Sequence, residues 1–123
     1  MEPEVALKEA MTIAGALGAS LVDYDSGMTP GSRGGTDAGL DLEVAAAGNT
    51  EVVRAKMRTM QALGLNETIE DMLITLDTQY HLIRLVTSPT GKGLFFYLAL
   101  AKDQANLAMA RRQLQSIETQ LAL

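Results

Sequence analysis

LDLEVAAAGNTEVVRAKMRTMQALGL, residues Leu40–Leu65, decides the fold. Read as one helix, it places Leu42, Ala45, Ala46, Val52, Val53, Met60 and Leu63 on one side at spacings of three, four and seven. Glu43, Glu51, Arg54, Arg58 and Gln61 fall on the other. A rival reading exists, because Leu40, Leu42 and Val44 alternate with Asp41 and Glu43. Residues 40–46 would then be a strand, and Asn49 or Thr50 would cap a shorter helix. The single helix explains more, since the charged stripe keeps its phase through Gly48 even though a glycine there costs about 1 kcal/mol against alanine. Thr36 or Asp37 is expected to cap its start, and Gly64 to close its end in the left-handed conformation.

Two features set this helix apart. Ala45-Ala46-Ala47-Gly48 is small enough to let another backbone approach. Asn49 and Lys56 interrupt the apolar side, seven residues apart. A helix at a subunit contact would pair them across the interface. Otherwise Lys56 carries its ammonium out to water and Asn49 marks a break.

Upstream, residues 3–14 read as a helix with Pro3 in its first turn and Leu7, Ala10, Met11 and Ala14 as its apolar stripe. Ala16–Tyr24 reads as a strand and Asp25-Ser26-Gly27 as a turn. Met28 and Thr29 are expected to begin a short return strand, which Pro30 confines to an edge. Gly31–Thr36 reads as a connector into the long helix. The competing reading, an anion-cradling nest with Arg33, lacks the Lys-Ser/Thr arrangement of a phosphate-binding loop.

Downstream, residues 68–76, 79–86 and 94–100 read as three strands in a meander. Met72-Leu73-Ile74 and Leu94–Leu98 show no alternation, which predicts strands covered on both faces. Asp103 is expected to cap a last helix whose apolar stripe is Leu107, Ala110, Leu114, Ile117 and Leu121. Arg111, Arg112, Gln115, Glu118 and Thr119 form its expected wet face. The order is α-β-β-α-β-β-β-α, an α+β class in which three helices cover both faces of one five-stranded antiparallel sheet. The terminal helices share one face and the long helix takes the other.

Composition excludes several functions. At 123 residues the chain is expected to form one domain, 1–123, burying about 65% of its unfolded surface. With no cysteine, disulfides, thiolate metal sites and a cysteine nucleophile are out. The net charge of −5 opposes general nucleic-acid binding. The apolar run Leu94–Ala101 is far short of the roughly 20 residues that span a bilayer, so no membrane insertion is expected. MEPEVALKEA carries acids where a signal peptide carries Lys or Arg, which predicts a cytoplasmic protein.

No catalytic constellation emerges. His81, the sole histidine, reads as a half-buried strand residue rather than a general base. Glu67, Glu70 and Asp71 read as a solvated edge or dimer rim, because adjacent strand residues point apart. Thr90-Gly91-Lys92-Gly93 reads as a turn, and Gly15-x-x-Gly18 is too short for a dinucleotide fingerprint. Arg54, Lys56 and Arg58 could receive an acidic partner or simply be solvated.

Four stretches together resemble the Roadblock/LC7 family. They are GALGASLVDYDSGM at Gly15–Met28, the Ala-rich helix ending in Ala62-Leu63-Gly64-Leu65, EDMLITLDTQYHLIRLV at Glu70–Val86, and LFFYLALAKDQANLAMARRQL at Leu94–Leu114. The resemblance covers nearly the whole chain in pattern and element order. It implies a profilin-like architecture with sheet order 2-1-5-4-3. It also implies a homodimer in which the long helices pack together and the third strands pair. Family members act as dimeric scaffolds in dynein and lysosomal signalling platforms, and in bacteria as partners or activators of Ras-like small GTPases. There is no family catalytic set to carry over, so the chain is expected to be no enzyme, to need no cofactor or metal, and to bind itself and a Ras-like GTPase. The expected dimer interface is Ala46, Asn49, Val53, Lys56, Met57, Met60, Met72 and Ile74. Val53→Asp or Met57→Asp should break the dimer. The alternatives are a small-molecule sensor with a pocket under the 31–39 loop, and a purely structural dimerisation module.

Overall fold

The computed structural model describes residues 1–123. In chain order the elements are α1 (Pro3–Ala10), β1 (Ala16–Asp23), β2 (Gly31–Gly34), α2 (Leu42–Ala62), β3 (Asp71–Thr75), β4 (Gln79–Leu85), β5 (Leu94–Ala101) and α3 (Leu107–Thr119). A single 3-10 turn, Pro89–Gly91, lies between β4 and β5. The sheet order is β2-β1-β5-β4-β3 with every pair antiparallel, as the resemblance implied.

Strand β5 lies at the centre, and every residue from Leu94 to Leu100 is buried. Alternation sorts its side chains between two cores. Phe96, Leu98 and Leu100 join Ala19, Leu21 and Leu82 against α1 and α3. Phe95, Tyr97 and Ala99 join Val22, Ile83 and Leu85 against α2. The ends of the chain meet on the α1–α3 side: Ala122 N–H donates to Met1 O at 2.7 Å, and the Met1 ammonium donates to Gln120 O at 2.6 Å.

The long stretch is a helix, not a strand, but it begins later than the sequence led us to expect. Asp41 is the N-cap; its carboxylate accepts from Glu43 N at 3.1 Å and Val44 N at 3.2 Å. Thr36 and Asp37 instead sit in a turn closed by Leu40 N–H donating to Gly35 O at 2.8 Å. Gly64 closes α2 as expected. At φ +71 it donates to Gln61 O, and Leu65 donates to Met60 O, which together satisfy two terminal carbonyls.

The second strand is not at Met28–Thr29 but in the stretch read as a connector. Asp23 N–H still donates to Met28 O at 2.8 Å, so the chain is turning there. Only after Pro30 does the ladder with β1 form, pairing Gly18 with Gly34 and Leu21 with Gly31. The glycines let α1 press on this strand. A Cβ on Gly31 would lie 2.8 Å from Leu7 Cδ1, and one on Gly34 2.7 Å from Met11 Cε. Gly35 N–H is spent on Leu17 O, so no anion nest forms.

The other corrections follow from similar local competition. Helix α1 ends at Ala10, because residues 11–15 tighten into turns around Gly15 at φ +85. Asn106, not Asp103, caps α3, since Gln104 N–H donating to Ala101 O keeps Asp103 in a turn. Glu118 leaves the expected wet face and is fully buried. Strand β3 is not covered on both faces: Leu73 is 39% exposed, and Met72 and Ile74 are half-buried.

Candidate association surface

Helix α2 has a buried face, a charged flank and a flank with little charge. Leu42, Ala46, Thr50 and Val53 form the first and pack on the sheet. The charged flank is tied down by Arg54, whose Nε donates to Tyr24 O at 2.7 Å and whose Nη2 donates to Asp25 O. Its Nη1 lies 3.8 Å from Glu51 Oε1. Val52 sits about 160° around the helix from Arg54. Val52 is 41% exposed and Val44 67%, and between and beyond them Gly48 and Ala55 are also exposed. This flank, spaced four, four and three residues, has Asn49 and Lys56 on its β4 side and Glu51 and Arg58 along its outer margin.

The sheet is open beside it. Strand β3 pairs with β4 alone and leaves its outer edge without a partner. Met72 and Ile74 project to the α2 side, where their cross-strand partners are Ile83 and His81. An exposed edge and an exposed apolar helix flank on the same side make one continuous surface suited to another chain.

His81 is the polar group on this surface. Its Nε2 lies 2.8 Å from Gln79 Oε1, an atom that only accepts, so Nε2 carries the proton. Its Nδ1, 3.2 Å from the Tyr97 hydroxyl, is therefore the acceptor. The two rings meet edge-on with centroids 5.3 Å apart. Burial pushes the His81 pKa down and the Tyr97 phenol up to about 12, so both are neutral at pH 7.

The residues expected at a dimer interface separate into groups. Ala46 and Val53 are wholly buried in the chain's own core, which removes them from any surface a second chain could reach. Met57 and Met72 pack half-buried against that core. Asn49, Met60 and Ile74 are half-buried and Lys56 is exposed. Val44, Gly48, Ala55 and His81 belong to the same open surface but were not singled out for it, while Leu73 is exposed on the opposite face, across from Leu82. The signal for the first three was present in their helical spacing.

Elsewhere, Asp71 is not a solvated rim residue, because its carboxylate takes two bonds of 2.9 Å from Arg111. Glu67 and Glu70 are exposed. No group of three or more His, Asp or Glu could hold a metal ion. No helix is long and apolar enough to cross a membrane. The space under residues 31–39 is closed by Leu7, Met11 and Leu42. A cleft of about 850 Å³ opens instead at the end of the sheet, lined by Tyr24, Met57, Met60, Ile69, Leu85 and Pro89 among others.

No protein-family model matches the sequence, and no curated protein does. Solved structures do match. MglB of Myxococcus xanthus superposes with a TM-score of 0.79 at 18% identity, covering 93% of this chain and 80% of that one. A Roadblock/LC7 domain from Streptomyces avermitilis gives 0.77 at 12% identity, covering 96% and 92%. The gliding protein MglB of Thermus thermophilus gives 0.70 at 16% identity, covering 94% and 87%. The chain has the Roadblock/LC7 fold.

Proposed function

We propose that this chain is a non-catalytic homodimer that binds a Ras-like small GTPase and regulates it. The observation that carries the self-association is the unpaired β3 edge beside the exposed, largely uncharged flank of α2. Two copies related by a two-fold axis would pair β3 with β3 and lay the two α2 flanks together, and such an interface is self-complementary by symmetry. The fold supports the GTPase reading, through the role that Roadblock/LC7 proteins play as dimeric platforms for such switches. His81, the only histidine, has an amide and a phenol as partners rather than a carboxylate and a nucleophile. If GTP hydrolysis is stimulated, the expected route is ordering of the GTPase's own switch and catalytic residues.

Two measurements test this. Sedimentation velocity at micromolar concentration should give twice the chain mass; a monomer overturns the dimer. Affinity capture from the host's lysate, with GDP or a non-hydrolysable GTP analogue, should enrich a Ras-like GTPase in one nucleotide state. Partners indifferent to nucleotide would make the chain a structural module instead.

A further inference from the structure

We infer that the self-association surface is acid-sensitive, closing over neutral His81 and opening when His81 takes up a proton. This rests on the homodimer reading above, and it names the regulation of that same surface.

The geometry gives a charged His81 no support. Its ring lies on the α2 side of β4, half-buried, with both nitrogens engaged. A proton can arrive only at Nδ1, where Tyr97 now donates. The Tyr97 hydroxyl would then have to turn and accept from Nδ1, and its own hydrogen, on a residue 1% exposed, would lose its only partner. The surrounding elements offer no anion. Across the ladders His81 meets Ile74 on β3 and Ala99 on β5. The side of α2 that faces β4 brings Asn49 and the cation Lys56, while Glu51 turns outward from the sheet beside Arg54 and Glu43 lies on the Arg54 flank. Asp71, the one acid of β3, points to the other face and is held by Arg111. Asp77, in the β3–β4 turn, is exposed.

In the single chain, water still reaches the ring and softens this penalty. A second copy closing over Met72, Ile74 and the α2 flank removes that water and adds another Lys56 and another His81. Association therefore favours the neutral form, and by linkage a proton favours separation. Two symmetric histidines are involved. Once the pH is below the value at which His81 charges in the single chain, the dissociation constant rises about a hundredfold for each further pH unit.

The test is sedimentation velocity of the full chain from about pH 8 to about pH 5 at constant ionic strength, with circular dichroism at each point to confirm the fold. The expected result is a dimer at the alkaline end and a folded monomer at the acid end. His81→Gln should remove the pH dependence. A dimer equally tight at both ends, or a His81→Gln chain that titrates like the parent, overturns the inference while leaving the dimer standing. A monomer at both ends overturns the dimer reading as well.

Discussion

Glu118 is fully buried on α3, yet it is paired on both carboxylate oxygens. Oε1 accepts from Arg84 Nε at 3.0 Å, and Oε2 accepts from Thr87 N at 3.1 Å and Thr87 Oγ1 at 2.7 Å. Removing one member of such a pair strands the other charge in the interior. Glu118→Ala should cost about 3–5 kcal/mol in urea unfolding, and Arg84→Met with Glu118→Leu together should cost much less. The hint was in the spacing, since Glu118 follows Leu114 by four residues. Periodicity alone could not supply Arg84, which comes from another element. Val53 teaches a related lesson. It lies in the chain's own core, so Val53→Asp should unfold the chain by placing an unpaired charge there. Val52→Asp, one residue away on the exposed flank, should leave circular dichroism unchanged and yield a folded monomer whose urea midpoint does not depend on protein concentration. Titration adds a third test. His81 has a lowered folded pKa, so the unfolded chain binds more protons below its ordinary value near 6.5. Its contribution to stability is complete above that value and falls as pH drops through the folded one. Tyr97 runs the other way: its contribution is complete below its ordinary value of 10 and is lost as pH rises toward about 12. A denaturation midpoint measured against pH should show both losses, and Tyr97→Phe should remove the alkaline loss attributable to that phenol.

At the level of the element, the long helix was legible because twenty-one residues hold one phase, and its boundaries were less so. Asp41 won the cap from Thr36 and Asp37 because Gly35 turns the chain first, at φ +87. Asp41→Ala should lower stability by about 1 kcal/mol. Gly64→Ala should cost about 1–2 kcal/mol, since φ +71 is strained for any residue with a Cβ and nothing else crowds the site. Both are checked by thermal unfolding of the single variants. Strand β2 was misread because GSRG carries no alternation and no strand-forming side chain. What makes it a strand is the β1 edge on one side and the room its glycines leave for Leu7 and Met11, a reason that lies in tertiary contacts. Strand β3 was read as covered on both faces from its apolar run, and the single chain leaves it partly open. The same run is what a partner chain would cover.

Across the molecule, the strand order and the division of helices between the faces follow from the sequence pattern and the resemblance together. Which surface remains open does not, because that depends on α2 lying over the middle of the sheet and leaving Ile74 and the outer edge of β3 only partly covered. If the two bare surfaces meet, folding and association are linked, and the melting temperature should rise with protein concentration. Differential scanning calorimetry over a hundredfold concentration range checks this, and Val52→Asp should abolish the dependence. The meeting of the two ends, where Ala122 bonds to Met1 and Met1 to Gln120, has a consequence of its own. Connectivity there is interchangeable. A few glycines could join the termini into a ring, and the ring could be reopened at Ser26–Gly27, where nothing crowds Gly27. The same sheet would then form from a permuted chain, with its new tails at the β1–β2 turn.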